Sequence, residues 1–111
     1  MSSYRVECTE GNCRVLINGG LTAVLVPELQ QAIKHEVDGG ASKLTVDLGD
    51  TSMVDSSGIG LLIAASNTLT QKNGNMMVVN TSPEILRLLR SMRLISRLNV
   101  SGRPGAEQDY E

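Results

Sequence analysis

Phenylalanine and tryptophan are absent, and the aromatic complement is two tyrosines, Tyr4 and Tyr110, one near each end. The core must therefore be aliphatic, and there is no platform of rings on which single-stranded bases could stack. Positive charge is not in excess either: ten Lys and Arg stand against twelve Asp and Glu, a net charge of -2. A basic face that tracks phosphates is not expected, so nucleic acid is set aside as a partner. No apolar run approaches the length that spans a bilayer, and the stretch from Met1 to Val6 lacks the basic-then-apolar start of a signal peptide. The expectation is a cytoplasmic protein with no membrane partner.

Nitrogen and thiol ligands are equally scarce. His35 is the single histidine and Cys8 and Cys13 are the only cysteines; together they match none of the short-spaced metal patterns, so no metal or other cofactor is expected. His35 falls beside Gln31 and Lys34, away from the Leu29, Ala32, Ile33 and Val37 face of its helix, and reads as a solvated residue. Gly58-Ile59-Gly60 is not a nucleophile elbow, and with no lysine following it is too short for a phosphate loop. Catalysis is thus hard to assemble, and the chain is read as a non-enzyme. A nucleotide-hydrolysing protein, the contrary reading, would show turnover by the purified chain alone. In a reducing compartment Cys8 and Cys13 are read as two small buried or half-buried thiols, with a structural disulfide the minority reading.

What is present suits one domain: 111 residues, 41% hydrophobic and 20% charged, enough to bury a core. Tyr4 to Cys8 and Cys13 to Asn18 are short extended runs around the turn-forming Thr9, Glu10, Gly11 and Asn12, an opening hairpin. Gly19 and Gly20 break the pattern. From about Leu25 to Val37 the apolar residues recur at three- and four-residue steps, a helix with Pro27 in its first turn and Gly39-Gly40 as its stop. Lys43 to Leu48 is a strand. A second helix runs from about Ser57 to Gln71 and ends at Asn73-Gly74; Met76 to Asn80 is the next strand. Pro83 opens a third helix with Ile85, Leu88, Leu89 and Met92 on one face and Arg87, Arg90 and Arg93 toward another. Leu94 to Val100 is read as the last strand. A hairpin followed by strand-helix alternation predicts an α/β fold: a small, mostly parallel mixed sheet with helices packed on it. Residues 1–100 form this single domain, and the polar stretch 101–111 is expected to be a flexible tail.

The remaining feature is Asp55-Ser56-Ser57-Gly58-Ile59-Gly60, where a strand and loop feed a helix. Polar side chains at such a point cap the free amides of the first turn, and composition alone favours that bland role for them. A helix start also tolerates an anion, because unpaired N–H groups and the positive dipole end face it, so a phosphate on Ser56 would not disturb the fold. It would add about -1.5 to -2 charges to the surface.

These residues carry a family resemblance. Val46-Asp47-Leu48, then Met53 through Leu62, then Asn73-Gly74, Met77-Val78-Val79 and Ser82-Pro83 resemble the STAS domains of anti-sigma factor antagonists, over about Tyr4 to Val100. The resemblance implies a protein that binds a serine-kinase anti-sigma factor while unphosphorylated and is released when that kinase phosphorylates the serine after the motif aspartate, here Ser56. A manganese- or magnesium-dependent serine phosphatase would restore it. Asp55 matches the motif acid, and Ser57, Gly58 and Ile59 share its turn. Met53 and Ile59, with the loop from Gly19 to Val26 alongside, are the expected contact surface, although Met53 suits a core equally well. Thr22 and Leu25 depart from the pattern, standing where many relatives carry an aspartate and a hydroxyl residue, and the closing amphipathic helix of many relatives is missing. The alternative function is a STAS docking subunit of a larger transport or signalling assembly without a phospho-switch.

Overall fold

The computed structural model describes residues 3–104. Seven strands and three helices follow in the order β1 (Tyr4–Thr9), β2 (Asn12–Ile17), β3 (Gly19–Leu21), α1 (Val26–Asp38), β4 (Lys43–Asp47), β5 (Thr51–Val54), α2 (Ser56–Gln71), β6 (Asn75–Thr81), α3 (Pro83–Ser91) and β7 (Val100–Gly102). A five-stranded sheet has the order β1-β2-β4-β6-β7, antiparallel between β1 and β2 and parallel elsewhere. The mixed α/β fold expected from the strand-helix alternation is the one observed. From residue 105 onward, the stretch read as a flexible tail lies outside the described residues.

Glu10 and Gly11 close the opening hairpin with φ of 51° and 83°, the two positive values that a two-residue turn needs to match the twist of its strands. The register pairs Cys8 directly with Cys13. A hydrogen bond from the Asn18 N–H to the Ser3 carbonyl fixes the alternation along the ladder and makes Cys8 and Cys13 a non-hydrogen-bonded pair, the class in which backbones and side chains approach closest. Their Cα atoms are 4.1 Å apart and a disulfide joins them. This corrects the expectation of two separate thiols: hairpin geometry, invisible in the spacing alone, brings the sulfurs together.

Two rows of side chains cross the parallel strands in register, Cys13-Leu44-Met76 and Val15-Val46-Val78. All are buried, and with Leu29, Ile33, Leu62, Leu69, Ile85 and Leu89 from the helices they form the aliphatic core. The opposite sheet face carries Arg14-Thr45-Met77 and Leu16-Asp47-Val79. There Asp47 is buried yet charged; it accepts from Arg14 at 2.5 Å, the Gly49 N–H at 2.8 Å and Asn80 at 3.2 Å. Burial pushes its pKa up, but these donors outweigh burial and hold it below the usual carboxylate value.

Three further differences from the sequence reading concern strands, and the first is that Thr51–Val54, not read as a strand, is β5. Gly19–Leu21, read as a break, is a strand that pairs in parallel with β5 as a separate two-stranded ribbon. Thr51 and Ser52 tie it down by donating to the Ile17 carbonyl at 2.8 Å and the Gly19 carbonyl at 3.1 Å. The last strand lies at Val100–Gly102, not at Leu94–Val100. Leu94 and Leu98 are both buried and four residues apart, and the Leu98 N–H bonds the Leu94 carbonyl at 3.0 Å; that segment turns rather than extends. Among the described residues no helix is long and apolar enough to cross a membrane.

Candidate functional site

The site is assembled where the β3–β5 ribbon meets the start of α2. Asp55 leaves β5 in an extended conformation and is the N-cap of α2. One carboxylate oxygen accepts the Gly58 N–H at 3.0 Å, which satisfies a first-turn amide. The other accepts the N–H of Ala23 at 3.0 Å, across 32 positions of sequence. Its own N–H bonds the Leu21 carbonyl at 3.2 Å. Asp55 therefore fastens the loop between β3 and α1 to the head of α2. The Gly58 and then the Ala23 N–H groups hold its carboxyl below the usual carboxylate value, against a smaller opposing effect of desolvation.

Capping thus falls to Asp55, and Ser56 is the first residue of the helix proper, exposed. Ser57 is half-buried. Gly58 is buried because the helix start lies directly on β3: a Cβ here would strike the Leu21 carbonyl oxygen and sit 2.8 Å from Leu21 Cγ and 3.0 Å from Val54 Cγ1. Ile59 and Leu25, expected at the contact surface, are 6% and 7% exposed and belong to the core. Met53, open to either reading, is 53% exposed. Thr22 is half-buried, and its carbonyl accepts the N–H groups of Leu25 and Val26 at 3.0 Å.

Sequence reasoning passed over one participant, the Ala23 amide, and named another, Val24, only as part of the loop from Gly19 to Val26. Val24 is 93% exposed, an apolar side chain on the loop that the Ala23 N–H pins to Asp55. The signal was the unusually apolar run Thr22 to Val26, but only the folded loop decides that Leu25 is buried and Val24 exposed. The Ala23 amide carried no signal at all, since any non-proline residue supplies one. Elsewhere, His35 is exposed on α1. Ligand atoms of Cys8, Cys13 and Glu36 cluster within 4.8 Å, but with the sulfurs bonded to each other neither is a thiolate ligand.

The arrangement is an exposed hydroxyl at a helix start, with the exposed Met53 on the preceding strand and the exposed Val24 on the loop that Asp55 staples to that helix. Residues 3–102 match the STAS domain family. The anti-sigma-B factor antagonist of Staphylococcus epidermidis is 31% identical over 74 residues, which cover 67% of this chain and 68% of that protein. Among solved structures, that of a putative anti-sigma factor antagonist from Thermotoga maritima superposes with a TM-score of 0.83 at 15% identity, covering 96% of this chain and 92% of that one. The Bacillus cell fate determinant SpoIIAA in its phosphorylated form superposes with a TM-score of 0.73 at 19% identity, covering 97% and 99%. The chain belongs to the STAS domain family, on its anti-sigma factor antagonist branch.

Proposed function

We propose that the chain is an anti-sigma factor antagonist that captures a serine-kinase anti-sigma factor while Ser56 is unmodified and is released when that kinase phosphorylates Ser56. A metal-dependent serine phosphatase would reset it. The observation that carries this reading is the placement of Ser56: exposed, first in α2, three residues after the exposed Met53 and directly after Asp55, which pins the loop that bears the exposed Val24. These apolar side chains supply contact area, with Thr22 and Ser57 at the rim, while Leu25, Gly58 and Ile59 shape the surface from beneath. The relatives' names and the phosphorylated Bacillus neighbour support it.

Release follows from the charge. An interface closed over a neutral hydroxyl would have to desolvate a dianion, which costs several kcal/mol, and about 3 kcal/mol lowers affinity by roughly a hundredfold. The fold tolerates the same group, because it lies at the positive end of the α2 dipole. Affinity capture from the native cytoplasm with wild type and Ser56→Asp tests the proposal. Wild type should retain a kinase-like protein that Ser56→Asp loses, and Ser56→Ala should bind it and ignore ATP. Retention of the same non-kinase assembly by all three forms would instead make this a docking subunit and end the switch.

A further inference from the structure

Strand β1 is the outer strand of the five-stranded sheet. Along an antiparallel pair, residues alternate between those that bond the neighbouring strand and those whose backbone groups point away from it. The Asn18 N–H to Ser3 carbonyl bond at 2.8 Å, carried through the register of β1 with β2, makes Arg5 and Glu7 inward-bonding. Tyr4, Val6 and Cys8 therefore turn their N–H and C=O groups outward. The strand is six residues long and contains no proline, and such an edge templates pairing with another strand unless its side chains prevent it.

The side chains select the partner. Arg5 and Glu7 are opposite in charge, share a sheet face, pair with each other along the strand at 3.0 Å, and are 68% and 56% exposed. An edge carrying one sign of charge would repel a second copy of itself; this one is complementary to itself in one register. Antiparallel pairing centred on Val6 places Arg5 opposite Glu7 of the second copy, twice. Centring on Arg5 or Glu7 opposes like charges, and centring on Tyr4 or Cys8 faces them with Ser3 or Thr9. In the Val6 register the charged pairs also occupy the non-hydrogen-bonded positions, where side chains approach closest.

We propose that two copies of this protein associate through β1, about a two-fold axis at Val6, into one continuous sheet. Val6 with Val6, and Tyr4 with Cys8 in both directions, exchange the outward backbone hydrogen bonds, while the Arg5–Glu7 pairs fix register and orientation. The contact is isologous and closes on itself, so association stops at the dimer. The disulfide between Cys8 and Cys13 holds the edge to β2.

Sedimentation equilibrium over roughly 1 µM to 1 mM, on full-length wild type, Arg5→Glu, Glu7→Arg and the double exchange, tests this. Wild type should dimerise. Each single reversal sets two like-charged pairs face to face and should weaken the dimer on the order of tenfold, and the double exchange should recover most of the loss. Circular dichroism should show all four folded, since both positions are exposed. A wild type that stays monomeric throughout, single reversals that dimerise as wild type does, or a folded double exchange no better than the singles would each overturn the proposal.

Discussion

Asp55 does two jobs with one carboxylate, capping α2 through Gly58 and holding the β3–α1 loop through Ala23. Both donors favour the charged form, so its pKa in the folded protein lies below the unfolded value. A group of this kind contributes stability that is full above the ordinary carboxylate range and is lost as pH falls through that range toward the lowered native value. Urea denaturation from neutrality into acid should therefore show wild type losing stability faster than Asp55→Ala, with the gap between them narrowing; parallel curves would mean the carboxylate contributes nothing. Gly58 gives a prediction of opposite logic. In an exposed helix alanine would be favoured over glycine by about 1 kcal/mol. Here its Cβ would strike the Leu21 carbonyl, and Gly58→Ala should instead destabilise by about 1–3 kcal/mol. The order of acid, serine and glycine in this turn could be read from the chain, but not that the acid reaches Ala23, since a backbone amide leaves no mark on residue identity.

Among the elements, the opening hairpin invites a quantitative test, because its disulfide closes a very short loop, with a sequence separation of 5. Chain entropy then assigns the bond about 2 kcal/mol, near the low end for disulfides. Reduction should lower the denaturation midpoint by that amount while unfolding stays cooperative, since the turn at Glu10-Gly11 and the buried Val15 and Ile17 hold the hairpin without it. Loss of cooperative unfolding on reduction would show that the bond organises the sheet. The elements legible in the chain were those long enough to show a period: α1 by Leu29, Ile33 and Val37, and β2 by Cys13, Val15 and Ile17. Those missed were decided elsewhere in the molecule. β3 has two glycines in three residues, with little intrinsic preference for extension, and exists because Thr51–Val54 lies beside it. Leu94 and Leu98 were apolar enough for a strand, and only their common burial four residues apart reveals a turn.

For the molecule as a whole, the proposed switch requires that fold and surface respond separately to one phosphate. The full chain carries only -2, and phosphorylation of Ser56 nearly doubles that charge at a single point. Self-repulsion would oppose folding, but the nearest fixed dipole, the start of α2, favours an anion by about 0.3–1 kcal/mol. No core contact is altered, because Ser56 is exposed while Ile59 and Gly58 beneath it stay packed against Val54 and Leu21. Thermal unfolding of the phosphorylated protein should therefore fall within a few degrees of the unmodified protein, although affinity for the partner drops roughly a hundredfold. A melting temperature that fell together with affinity would mean that release works by loosening the domain. The loop that Asp55 pins through Ala23 would then be the part that gives way, and Asp55→Ala should reproduce the release with no phosphate at all.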